Sequence, residues 1–231
     1  MTSSSSAPRA VRVWDLPTRL FHWSLALSVL AAVITAKVGG NAIEWHFRLG
    51  YLICTLVGFR LLWGVLGGRW SRFVSFLPTP GRILRYLRGQ PRPGEHLDVG
   101  HNPLGSLSVL GLLGLLALQV GTGLVADDEI ANTGPLISFV AAQTSSLATS
   151  WHKTFGQWGL LALVGLHVLA ILYYRFVRRH DLVRPMLTGD KLLSPEVPAS
   201  ADHAASRLLA LLLLLGCAVL VWWLIGLGAA G

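Results

Sequence analysis

Five stretches of this chain are long and apolar enough to cross a lipid bilayer, and no other feature constrains its fold as strongly. A crossing takes about 20 mostly apolar residues. The stretches cover residues 20–36, 45–66, 103–126, 151–174 and 208–230. The first holds no charge between Arg19 and Lys37, whereas the second contains Arg48 and Arg60. The third has Gln119 as its most polar member, the fourth carries Lys153 and His167, and the fifth is almost wholly Leu, Val, Ala, Gly and Trp. Composition agrees: 53% of the 231 residues are hydrophobic and 13% are charged, where a soluble domain carries about 25% charged residues. A water-soluble globule, a disordered chain, a coiled coil and collagen are all excluded. The first stretch is too long for a secretory signal, and no small-residue cleavage pattern follows it. Ser3 to Ser6 read as part of a short disordered tail over residues 1–12. Trp14, Trp23, Trp45, Trp63, Trp151 and Trp222 fall near the ends of the stretches, where interfacial anchors belong.

The charges sort by loop. Lysines and arginines outnumber acids 19 to 11, a net charge of +8. In a soluble protein such an excess would point to nucleic acid. Here it alternates with the spans. Arg9, Arg12 and Arg19 precede the first. Arg69, Arg72, Arg82, Arg85, Arg88 and Arg92 lie between the second and third. Arg175, Arg178, Arg179, Arg184, Lys191 and Arg207 lie between the fourth and fifth. These fifteen share one side, and only Lys37, Arg48 and Lys153 fall on the other. The bias sets the N-terminus in the cytoplasm of a multi-pass inner-membrane protein. Topology explains the basic excess, and no nucleic-acid partner is expected.

Histidines then gain depths. His22 lies one turn into the first span, and His46 and His152 open the second and fourth at the opposite side. His167 follows His152 by fifteen residues, which is about 22 Å along a helix and about four turns plus 60°. One helix thus offers two imidazoles to one broad face at two depths. His46 matches the depth of His152, and His22 shares the other half of the bilayer with His167. Ionisable residues inside a membrane mark function, and imidazole is a usual axial ligand of haem iron. The spacing predicts two bis-histidine sites, His22 with His167 and His46 with His152. Both Trp45-His46 and Trp151-His152 continue as W-H-x-x-x-G, to Gly50 and Gly156. Such a glycine shares the face of its histidine and leaves room for a flat macrocycle against the backbone. Arg48 and Lys153 are the expected propionate partners of one haem, Arg19 and Arg60 of the other. His101, in Gly100-His101-Asn102-Pro103, reads as a helix cap or as part of a quinone or proton site. No Cys-x-x-Cys-His occurs, so covalent haem attachment is excluded.

The segment Val13-Trp14-Asp15-Leu16-Pro17-Thr18-Arg19-Leu20-Phe21-His22-Trp23 resembles the opening of the bacterial cytochrome b561 and hydrogenase-type cytochrome b family. Trp45-His46 to Gly50, Phe59-Arg60-Leu61-Leu62-Trp63-Gly64, Gly100 to Gly105, His152 and His167 follow in the family's order. The resemblance covers residues 11–180. It implies an all-α fold: an integral membrane four-helix haem-binding bundle over residues 13–180. A cytoplasmic linker over 181–206 and a fifth C-terminal transmembrane helix over 207–231 would follow, the last packing outside the bundle. It also implies two haem b groups on the four histidines. The function expected is electron transfer between the membrane quinone pool, ubiquinone or menaquinone, and a periplasmic partner. A c-type cytochrome, a dehydrogenase or a hydrogenase would fit that place. The acidic run Asp127-Asp128-Glu129 favours a basic protein over an anionic reductant, or is a solvated loop. Superoxide:quinone oxidoreduction is the first alternative, and a haem-binding transport or assembly role is one from another class.

Overall fold

Why each apolar stretch becomes a helix, and where it stops, is visible in the computed structural model, which describes residues 7–130 and 132–229. Five long helices carry the spans: α1 (Leu16–Val38), α2 (Ile43–Leu66), α5 (Pro103–Leu124), the run of α6 (Ala142–Trp151) into α7 (Gln157–Phe176), and α9 (Ala204–Ala229). Short helices α3 (Phe73–Phe76), α4 (Pro80–Arg88) and α8 (Val183–Thr188) lie in the connections. In lipid every backbone polar group must be satisfied within its segment, and a helix does this. The protein is an all-α integral membrane bundle with five membrane-spanning helices.

The chain divides into two units, each with its own packing. One collects residues 22–60, 110–167 and 212–231. Its core is Ala32 of α1, Ile53 and Val57 of α2, Leu116 of α5 and Leu160 of α7, with Leu25, Val29, Leu49, Leu112 and Val164 against them. Four helices thus share one interior. None of these side chains comes from α9, which meets α2 where Gly58 leaves space beside Cys217, a Cβ there lying 3.5 Å from the sulfur. The fifth helix packs outside the four-helix core, as expected. Leu215, Val219, Leu220 and Trp222 on α9 face outward, the arrangement of a lipid-facing surface.

The other unit collects residues 1–21, 61–109 and 168–211. It corrects several expectations. Ser3 to Ser6 lie outside the described residues, but Arg9–Arg12 of the expected tail forms strand β1. It pairs antiparallel with β2 (Asp190–Leu193), Arg9 opposite Leu193 and Arg12 opposite Asp190. The 181–206 linker is therefore structured, holding both α8 and β2. Arg12 bridges Asp190 and Asp202, and Asp202 also binds Arg207 at 3.0 Å and the Leu16 amide at 3.1 Å. Burial pushes the Asp202 carboxyl up, but its bonds from Arg207, Leu16 and Arg12 hold it below the ordinary range.

Two of the six expected interfacial tryptophans are instead internal. Trp63 is 1% exposed and donates to Asp15 Oδ1 at 3.1 Å, while Trp14 is 4% exposed in a cluster with Val13, Trp70 and Val99. Asp15, fully buried, also accepts from the Thr18 amide at 2.8 Å and the Ser71 hydroxyl at 2.6 Å. It caps the first turn of α1. Asn102, not His101, caps α5, accepting from the Gly105 amide at 2.7 Å. His101 lies between Trp14 and Phe76, with ring centres 4.7 and 4.6 Å away.

Candidate functional site

All four span histidines belong to the unit with the four-helix core. Their rings meet in the predicted pairs: the centres of His22 and His167 are 6.5 Å apart, those of His46 and His152 6.0 Å. A metal–nitrogen bond is about 2.0 Å, so two imidazoles that share one metal ion would have ring centres roughly 6 Å apart. The two pairs have separations of that size, and each would fit a single metal ion.

The fourth span is built differently from its sequence reading. It runs over Ala142–Phe176, 35 residues, or about 52 Å against a hydrocarbon core of about 30 Å. Hydropathy begins it at Trp151 because Gln143, Thr144, Ser145 and Ser146 hide the helical extension. Nor is the span uninterrupted: His152–Gly156 is a π-turn. Such a turn carries one extra residue and is frequent at functional sites. It removes about 100° of rotation between His152 and His167, moving the offset from about +60° to about −40°. The two rings keep one broad face.

The π-turn is locked from α5. His152 Nδ1 lies 2.8 Å from the Gln119 carbonyl oxygen, and Gln119 Nε2 donates back to the His152 carbonyl at 2.8 Å. A Cβ at Gly156 would overlap Gln119 Oε1. That glycine therefore admits the Gln119 side chain rather than a macrocycle, which corrects the sequence reading. Gly123 has the role expected of Gly156 as regards closeness: a Cβ there would lie 2.9 Å from His152 Cε1. Across the site, His46 Nδ1 lies 2.9 Å from the Ala32 carbonyl oxygen of α1. Each ring thus gives Nδ1–H to a carbonyl and keeps Nε2 as the remaining donor atom, the usual arrangement around a metal-bound imidazole.

Beside this pair lies a cavity of about 440 Å³, lined by His46, His152, Gly50, Gly123, Lys37 and Lys153 among others. A Cβ added at Gly50 would meet nothing within 4 Å, so the backbone there borders open space. Asp128 and Asn132 also line the cavity. Lys153 is where the sequence predicts it. Arg48 is not: it pairs with Glu44 at 3.4 Å, lies over the Trp45 ring at 5.0 Å, and does not line the cavity. Lys37, in the last turn of α1, takes that place and lies 5.6 Å from the Trp158 ring centre. Its signal in the sequence is position alone, as a cation on the side opposite the fifteen.

The His22–His167 pair has other surroundings. His22 stands edge-on to Trp23, centres 5.1 Å apart, and its buried Nδ1 has no hydrogen-bond partner among the described residues. Arg60 is 2% exposed inside α2. Arg19, three residues before His22 in α1, donates to the Leu187 carbonyl at 2.5 Å. Among the described residues, no cluster of three or more His, Cys, Asp or Glu side chains forms a metal site of another kind.

Residues 13–189 match the family model for prokaryotic cytochrome b561. Curated relatives agree. A probable Ni/Fe-hydrogenase B-type cytochrome subunit of Azotobacter chroococcum is 27% identical, over 82% of this chain and 91% of its own. Proteins of the same description from Bradyrhizobium diazoefficiens and, for hydrogenase 1, Escherichia coli K12 are each 23% identical, over 78% and 77% of this chain and 85% and 88% of theirs. No solved structure matches the chain. Five membrane helices, paired intramembrane histidines and a family match across most of the length lead to one conclusion: the chain belongs to the prokaryotic cytochrome b561 family, multi-pass membrane cytochromes that carry electrons on haem b.

Proposed function

We propose that the chain conducts electrons across the bacterial inner membrane through two haem b groups, one on His46 and His152 and one on His22 and His167. The observation that carries this reading is the pair of ring-centre separations, 6.0 and 6.5 Å. Haem with both axial positions filled supplies one-electron, outer-sphere transfer. The residues of the chain do the rest. The carbonyls of Ala32 and Gln119 hold two imidazoles in one tautomer and orientation. Lys37 and Lys153 offer positive charge to propionates at the cavity. Buried Arg60 is a candidate for the same role at the other pair. Apolar side chains of four helices keep water from the irons. The fifteen arginines and lysines on one side support an orientation with the N-terminus and the His22–His167 end at the cytoplasmic face.

A hydrogenase partner is supported by the relatives, whose names describe hydrogenase subunits. A periplasmic Ni/Fe hydrogenase is thus the electron donor best supported, with membrane quinone as acceptor. The test is spectroscopic. Purified protein should show a b-type reduced-minus-oxidised spectrum and a pyridine haemochrome of about two haems per chain. A folded but colourless protein, or one haem per chain, would overturn the two-site reading. Quinone reduction on adding hydrogen to the chain with its partner, and none under a superoxide flux, separates the relay from the superoxide enzyme.

A further inference from the structure

Residues 67–102 connect two membrane helices, so both ends of the connection are anchored in spans. Inside it sits α4, a nine-residue helix with well-made ends. Thr79 caps its start through a 3.4 Å bond from the Arg82 amide, Pro80 fills the first turn, and Gly89 closes it in the left-handed conformation at φ 64°. At about 100° per residue, Pro80, Gly81, Leu84, Leu87 and Arg88 fall on one arc of about 120°. These same residues are the exposed ones. Leu84 is 47% and Leu87 64% exposed, and Val74 and Leu77 on the preceding turn are 76% and 50% exposed.

The opposite arc is fastened down. Tyr86 and Tyr174 hydroxyls are 2.8 Å apart, and Asn102 donates to Tyr174 at 2.9 Å. Tyr174 is two residues from the end of the α7 span, so this bond sets α4 at the level where a span leaves the bilayer. Glu95 takes a two-pronged bond from Arg85, at 2.9 and 2.7 Å, with Arg82 3.7 Å away. Those bonds hold the Glu95 carboxyl down at about 2. Two arginines are thereby used internally. Arg69, Arg88 and Arg92 are exposed and form no ion pair among the described residues.

An amphipathic helix in water turns its apolar side inward. Here the leucines point out and the ion-paired arginines stay against the protein. Four apolar side chains are far fewer than the 20–30 residues a side that a stable protein interface uses. The bilayer, by contrast, is tethered beside the helix, and its anionic headgroups complement the free arginines. We propose that the outward face of α4, Leu84 and Leu87 with Val74, Leu77 and Arg88, is a binding surface for the anionic phospholipids of the bilayer the spans cross. The leucines enter the headgroup–acyl boundary, and Arg88 and Arg92 meet lipid phosphates.

The test uses full-length, haem-loaded protein carrying Leu87→Cys, labelled with a water-soluble nitroxide. The native Cys54 and Cys217 lie within spans, and identically treated wild type gives the background. The protein is reconstituted in phosphatidylcholine vesicles with and without phosphatidylglycerol. Power saturation should show the label several-fold more accessible to oxygen than to a nickel chelate, with a Gln90→Cys label showing the reverse. Omitting phosphatidylglycerol, or adding Arg88→Gln and Arg92→Gln, should move the residue-87 label toward the nickel chelate. A label equally open to nickel at 87 and 90 overturns the proposal. A membrane-seated label indifferent to phosphatidylglycerol overturns its anionic specificity. Dipolar broadening between copies, or shielding from both reagents, would mean a protein covers the face and also overturns it. If Leu87→Cys fails to load haem, Leu84→Cys gives the same readout.

Discussion

The two histidine pairs draw on the same four-helix unit, yet one is oriented by hydrogen bonds and the other by packing. At His46 and His152 both Nδ1 atoms reach backbone carbonyls, a π-turn resets the helix, and a cavity of about 440 Å³ opens alongside. At His22 the corresponding nitrogen has no such bond, and the ring rests against Trp23 and His167. A carbonyl that accepts Nδ1–H raises the basicity of Nε2 and fixes the ring before any metal arrives. The first pair is therefore preorganised, and the second depends on its ligand to complete it. Two haems on such pairs would differ in retention and in potential.

Deleting ligands tests that contrast most severely. His46→Ala and His152→Ala should each remove about half the haem, and the same half. His22→Ala and His167→Ala should each remove the other. The check is a pyridine haemochrome ratio together with low-temperature difference spectra, which resolve the two bands. A His22→Ala protein that loses the band lost in His152→Ala would break the pairing. If preorganisation differs as argued, the haem left in His152→Ala should also dissociate to apomyoglobin faster than the haem left in His22→Ala.

Crowding the ordered pair should act next most strongly. A Cβ at Gly123 falls 2.9 Å from Cε1 of the His152 ring, which can move away only by giving up its Nδ1 bond to the Gln119 carbonyl. Strain of about 1–3 kcal/mol corresponds to a loss of haem affinity of about 5- to 150-fold. Gly123→Ala should show it at the His46–His152 band and leave the other unchanged. Gly156→Ala should do less, because its Cβ touches neither ligand ring. It would overlap Gln119 Oε1 and lie 2.9 Å from Trp151 Nε1, and the bond given up, Gln119 Nε2 to the His152 carbonyl, is worth about 1 kcal/mol. Equal effects at both bands would mean the variants disturb the bundle as a whole.

What the sequence reveals about these sites depends on whether the signal is periodic. The fifteen-residue step from His152 to His167 carries depth and face in the numbering itself, and the partners follow from the spans. The second shell has no such signal. Its acceptors are the main-chain oxygens of Ala32 and Gln119, and every residue has one. The π-turn looks like ordinary helix in hydropathy. Arg48 and Lys37 stand at facing helix ends, and only side-chain direction decides that Lys37 lines the cavity while Arg48 turns to Glu44. The β1–β2 ladder joins Arg12 to Asp190, a pairing no local pattern announces. Asp15 and Trp63 belong to motifs that carry the family resemblance, and they tie the start of α1 to α2 and Ser71 within one unit.

Gly50 gives the smallest effect and the cleanest sign. It lies on the cavity wall, and a Cβ there meets nothing within 4 Å. Gly50→Ala should not disturb the haem-free protein, and by helix propensity it should stabilise it by up to about 1 kcal/mol. The space it enters is the space a macrocycle between His46 and His152 needs. Haem retention at that pair should therefore fall by a few-fold while the melting temperature of haem-free protein holds or rises. The opposed signs matter, because a general packing defect would lower both. If the substitution leaves retention at the His46–His152 band unchanged, the ring does not pass Gly50, and the cavity beside the ordered pair serves some end other than seating haem.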